Sequence, residues 1–131
     1  MAPLTISSAR IISAWDKFDL PAQEAFDYEA VRFHTDGSVT PANATNTTEN
    51  NFQGIAVIKA ERVGRAVTVV RGGLVDVGNA LDAMAFGAPV FLSDTDGAFD
   101  TAAGTTSVIA GRVHPIWNGS IANKVFKVEK E

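Results

Sequence analysis

The sequence has no cysteine, which removes disulfides and thiolate chemistry and leaves the redox compartment open. It has no basic excess. Its 11 Lys and Arg stand against 15 Asp and Glu, a formal net charge of -4, so the charge balance does not point to nucleic acid as a partner. No apolar run approaches the roughly 20 residues that cross a bilayer as a helix. The opening MAPLTISSARIISAWDKF also lacks the continuous hydrophobic stretch of a secretory signal. The expectation is a soluble protein made in the cytoplasm, with no membrane partner. On that expectation the sequons at Asn43, Asn46 and Asn118 read as exposed polar turns rather than glycan sites.

What is present is apolar material in short pieces. Hydrophobic residues make up 46% of 131 positions, enough for one domain with its own core. The most organised stretch is Gly64 to Phe99, GRAVTVVRGGLVDVGNALDAMAFGAPVFLSDTDGAF. Period-two alternation marks Ala66–Val70 and Leu74–Val77 as strands, with Arg71, Gly72 and Gly73 expected to interrupt them. A bridging turn around Leu81 to Gly87, a further strand and an Asp-Gly turn follow.

The other segments read the same way. Met1 to Trp15 has small residues and scattered apolar ones, and suits a frayed terminus, a first strand of the same domain, or an arm that pairs with a partner's sheet edge. Asp16 to Ala25 reads as a connection or a single helical turn, and Ala25 to Phe33 as a strand followed by a two-residue Asp36-Gly37 hairpin. Pro41 to Asn51, PANATNTTENN, is expected to be an exposed loop. Further strands are expected at Gly54–Ala60, at Ser107–Pro115 with close backbone approach at Gly111, and at Lys124–Glu129 after an Asn118-Gly119 turn. About eight short antiparallel strands with little helix define an all-β barrel or sandwich with an extended N-terminal arm over 1–15 and a single domain over 16–131.

Few residues suggest chemistry. Asp94, Asp96 and Asp100 lie close together, but Ala98 stands where a calcium loop needs an oxygen ligand. His34 and His114 have no HExxH spacing, and nothing in the sequence joins them to Ser107 or Asp36 as a triad. Gly72-Gly73 lacks the following helix of a phosphate loop. Arg10, Lys59, Arg62, Arg65, Arg71 and Arg112 read as edge-protecting charges. Trp15 and Trp117 are better contact anchors, since large amphipathic rings suit interfaces. No catalytic, metal-binding or cofactor-binding residue is expected.

From Gly54 onward the order GIA, AVTVVRGGLVDV, GAPVFLSDTDGAFDTA, VIAGRV and KVFKV resembles the capsid cement, or head decoration, proteins of tailed bacteriophages. The step Gly87, Ala88, Pro89, Val90, Phe91 followed by an Asp-Gly turn carries most of the likeness, which covers about the last three fifths of the chain. The resemblance implies a non-enzymatic β-rich protein on the outer face of an icosahedral shell, a homotrimer that binds the major capsid protein and stabilises the expanded capsid. Carried over by position, capsid contact falls on Pro3, Leu4, Thr5, Ile6, Ile11, Ile12 and Trp15. The readings from other classes are a tail or fibre module binding a host glycan through Trp117 and the Asn-rich loop, and a small β-barrel carrier or enzyme domain. The carrier reading suffers because Lys59 is expected inside a strand rather than at a hairpin tip.

Overall fold

The structure, a computed structural model, describes residues 3–117 and 122–131. The expected Asn118-Gly119 turn lies outside the described residues. Nine strands form one antiparallel sheet: β1 (Arg10–Pro21), β2 (Ala30–Phe33), β3 (Val39–Pro41), β4 (Gly54–Ala56), β5 (Ala66–Asp76), β6 (Pro89–Leu92), β7 (Phe99–Asp100), β8 (Ile109–Trp117) and β9 (Ala122–Glu129). Among the described residues there is no helix. Their order across the sheet is β3-β2-β4-β5-β9-β8-β6-β7, with β1 paired to β5 off that path. The sheet curls into a half-barrel, so the all-β, barrel-like class expected from the alternating strands and Gly, Asn and Asp turns is the fold observed.

β5 is the central element and differs from the expectation. Arg71, Gly72 and Gly73 do not interrupt it; they lie inside one eleven-residue strand. The glycines are there for room. A Cβ on Gly73 would lie 2.6 Å from the Ser13 carbonyl, so glycine there lets the β1 backbone pass this close, while a Cβ on Gly72 would lie 2.6 Å from Nε1 of the Trp15 side chain. Consecutive residues point to opposite faces, and β5 uses both. Val67 and Val69 pack with Ala22, Phe26, Val31, Val39, Ala56 and Ala60 in a small cluster. Val70 and Val75 enter the larger one. That larger core centres on three rings packed edge to face, Phe52 to Phe99 at 5.8 Å and Phe99 to Phe126 at 5.0 Å between centroids.

Other local expectations shift for physical reasons. Asp16 to Leu20 is not a helical turn but the second half of β1, because its residues pair with Val67 to Gly72 of β5. The strand expected from Ala25 is confined to β2; the residues before it make an isolated bridge between Phe26 and Ala60. Asp36-Gly37 does form a hairpin, with Gly37 at φ +87°, but its loop runs from His34 to Ser38 and closes through the His34 N–H to the Ser38 carbonyl. Strand β4 ends at Ala56, so Lys59 lies in the connection to β5 rather than in a strand. Gly111 does sit where backbones nearly touch: a Cβ there would be 2.0 Å from the Lys127 carbonyl oxygen.

The Asn/Thr segment is the largest departure. Pro41, Ala42, Asn43 and Ala44 are buried, and of the segment only residues 45–48 and Asn51 are exposed. Ala44 donates its N–H to the Ser93 carbonyl and accepts from the Thr106 N–H, and Asn50 Nδ2 donates to Thr106 Oγ1. Asn43, buried rather than an exposed sequon, donates from Nδ2 to Asp96 Oδ1 at 3.0 Å while its Oδ1 accepts the Thr45 N–H. The segment bridges β3 to the turns after β6 and β7. Its polar side chains replace the ladder that the backbone lacks there.

Candidate interaction surface

The N-terminal segment is laid along the domain. The Leu4 N–H donates to the Phe99 carbonyl at 2.8 Å, which caps the outer side of β7. Leu4, Ile6, Ala9 and Ile11 pack against the larger core. Of the seven residues expected to contact a capsid, Leu4, Ile6 and Ile11 are therefore half-buried inward, Pro3 is half-buried, and Thr5, Ile12 and Trp15 face solvent. The strand β1 runs through the expected arm boundary at residue 15, with Arg10 to Trp15 already inside it.

β1 is also the one long edge with a free side among the described residues. Its ladder runs only to β5. The β3 edge is closed by the Gln23 N–H on the Val39 carbonyl, and the β7 edge by Leu4. Register breaks between Ile11 and Ser13 and between Ala14 and Asp16 leave Ile12 and Trp15 as the two extra residues of bulges. Those two are also the large apolar side chains that β1 exposes, Ile12 at 37% and Trp15 at 59%. A bulged residue is released from the inward-outward alternation, so the ladder gains nothing by burying it. Both Ile12 and Trp15 were singled out in the sequence, but the bulges were not, because the register depends on the bend of β5. The side chain of Trp117, the other expected anchor, lies outside the described residues.

Two charges of this edge, Arg10 and Asp16, are paired on the surface. Arg10 meets Asp76 at 3.1 Å, and Arg71 meets Asp16 at 3.0 Å while its guanidinium lies 5.7 Å from the Phe18 ring centroid. Phe18 in turn contacts Phe33, which is 40% exposed. Elsewhere Lys59 pairs with Asp27 at 3.5 Å, and Arg112 makes a two-pronged pair with Glu131 at 2.8 and 2.9 Å. Such exposed pairs are worth little for stability and serve more to keep edges from wrong pairing.

The residues that invited a chemical reading hold turns. Asp94 accepts the Thr105 N–H and hydroxyl, Asp96 accepts Asn43, and buried Asp100 accepts the Thr101 N–H. His34 Nδ1 sits 3.3 Å from Asp36 Oδ1 inside the hairpin loop, and His114 Nδ1 lies 2.8 Å from the Pro115 carbonyl; among the described residues no serine hydroxyl is hydrogen-bonded to either ring. The Asp36 carboxyl is held below the usual range, chiefly because the Ser38 hydroxyl and N–H bind it. Among the described residues no group of three or more His, Asp or Glu side chains is placed to hold a metal ion.

One acidic residue stands apart, and the sequence reading passed over it. Glu29 has its carboxyl pushed up to about 7, first by burial and then by the charges of Asp27, Asp96 and Glu24. Its Oε2 is buried without a hydrogen-bond partner. The available signal was the run QEAFDYEA, which sets Asp27 and Glu29 two apart and so on one face of an extended chain.

The class this geometry defines is a small all-β protein with an open, apolar-studded edge. No family model, no curated protein and no solved structure matches the chain. No helix among the described residues is long and apolar enough to cross a membrane.

Proposed function

We propose that this chain is a structural protein of the tailed-bacteriophage virion that binds the outer face of the icosahedral capsid and stabilises the expanded shell. Its partner is the major capsid protein, its working form is a homotrimer, and it catalyses no reaction. The observation that supports this reading best is the free side of β1, twelve residues long, with Ile12 and Trp15 bulged out along it. An extended segment of a capsid subunit can add to that edge by backbone hydrogen bonds and seat an apolar side chain against Trp15. Many copies of a modest contact, multiplied by shell symmetry, hold firmly without any one being strong.

The test is sedimentation with expanded shells built from the major capsid protein of the phage that encodes this chain, whose gene is expected to lie beside it. Wild-type protein is expected to cosediment at a fixed stoichiometry. The double substitution Ile12→Ser with Trp15→Ala is expected to leave the fold intact and weaken binding by about tenfold or more, the size of effect that loss of an aromatic anchor gives. Failure of the wild-type protein to bind would overturn the capsid reading. Undiminished binding by the double variant would overturn the role of the β1 edge.

A further inference from the structure

Residues Leu4 and Ile6 share a cleft of about 240 Å³ with Asp27, Tyr28, Glu29 and the turn from Thr95 to Phe99. The Glu29 side chain is pressed onto that turn, since a Cβ on Gly97 would lie 2.7 Å from its Cδ and 2.8 Å from its Oε2. Below the cleft the turn is held firmly: the Gly97 N–H donates to Ala42 and its carbonyl accepts from Ala30. Above it, Pro3 to Ala9 make a single backbone hydrogen bond among the described residues, from the Leu4 N–H to the Phe99 carbonyl. The segment carries no ionisable side chain of its own. A half-buried carboxyl, one oxygen of which is buried without a partner, therefore lines a cleft it shares with a segment tethered by one backbone hydrogen bond.

We propose that the segment Pro3–Ala9 is a pH-dependent strap, docked on the cleft while Glu29 is protonated and released when Glu29 ionises. A neutral carboxyl tolerates the place it holds, whereas a carboxylate there needs water or a donor, and its Oε2 has no hydrogen-bond partner in the docked arrangement. The groups that face it make ionisation harder. Asp27 lies on its own segment, Asp96 on the turn across from it, and Glu24 upstream; Tyr28 lines the same cleft, Glu61 and Lys59 line the adjoining one with Glu29, and Lys59 is paired to Asp27 at 3.5 Å. Lifting the strap admits water to the carboxylate, and the cost of releasing it is small because one backbone hydrogen bond and a few half-buried apolar contacts are given up.

The direction follows from linkage. Glu29 has a raised pKa when docked, about 7 against an ordinary 4.5. The released strap lets it return toward the ordinary value. Docking is thus fully favoured below the ordinary value and progressively lost as pH climbs to the docked one. The inference concerns the free protein and does not rest on the capsid reading, so the two succeed or fail separately.

The experiment is amide exchange followed by NMR on the full chain, with protection at Leu4 corrected for the intrinsic pH dependence of exchange. Protection is expected to fall about tenfold or more between about pH 5 and about pH 8, while amides of β5 hold theirs. Glu29→Gln is expected to keep Leu4 protected at both values. Asp96→Asn, which keeps an oxygen for Asn43, lowers the repulsion on Glu29 and is expected to retain more protection than wild type near pH 8. Equal Leu4 protection across the range in wild type, or an unchanged loss in both variants, would overturn the strap.

Discussion

The indole of Trp15 lies across Gly72, with Nε1 2.6 Å from where a Cβ on that glycine would stand. The obstacle is the side chain of an exposed residue, which can swing away. At Gly111 the obstacle is the Lys127 carbonyl at 2.0 Å, which belongs to the β8–β9 ladder and cannot. Gly72→Ala is therefore expected to cost about 1 kcal/mol and Gly111→Ala about 3 kcal/mol or more, the upper end of overpacking penalties. Chemical denaturation of the two variants measures the difference, and equal costs would contradict it.

Phe99 touches both Phe52 and Phe126 and is 1% exposed. It also accepts the Leu4 N–H through its carbonyl, so one residue joins the core to the strap. Phe99→Ala is expected to lose about 3–5 kcal/mol, in line with large-to-small core truncations. Trp15→Ala, at 59% exposure, is expected to stay within about 1 kcal/mol of wild type by the same denaturation measurement.

Truncation separates the strap from the strand. Removing residues 1–9 leaves β1 whole and gives up the Leu4–Phe99 backbone hydrogen bond and half-buried contacts of Leu4, Ile6 and Ala9, an expected loss of about 1–3 kcal/mol. Removing residues 1–15 also strips the pairing of Arg10–Trp15 with the end of β5. That second truncation is expected to unfold at a far lower temperature or without a cooperative transition, as calorimetry would read.

The buried amide of Asn43 ties the polar segment to the turn after β6. Asn43→Ala is expected to cost about 1–2 kcal/mol, the range for leaving a buried polar partner unmet. Glu49 gives a second readout. Its carboxyl is held below the usual range by the amides of Asn46 and Asn43, so its contribution is present at neutral pH and lost as pH falls through the lowered value. In the variant an NMR titration of Glu49 is expected to move upward toward the ordinary glutamate range.

The alternation in Ala66–Val70, Leu74–Val77 and Lys124–Glu129 carried the all-β class, since period two is a property of the strand itself and needs no partner to be read. The same local rule failed at Gly72 and Gly73, where glycine signals a turn by itself and a close strand by its neighbour. It failed again at Pro41 to Ala44, where residues of turn-forming type are buried by what they bridge. Glu29 was passed over because its carboxyl is ordinary until Gly97 and Asp96, some seventy residues away, are folded against it.

By itself the sequence determined the strand class, the absence of thiol chemistry and the mild acidity, because these depend on residue type and local spacing alone. Only the tertiary structure decided that β1 is the free edge, that Ile12 and Trp15 bulge from it, and that half-buried Glu29 lines one cleft with Leu4 and Ile6. Those facts depend on which distant strands meet and in what register, and register is set by packing across the whole sheet rather than by any one stretch of it.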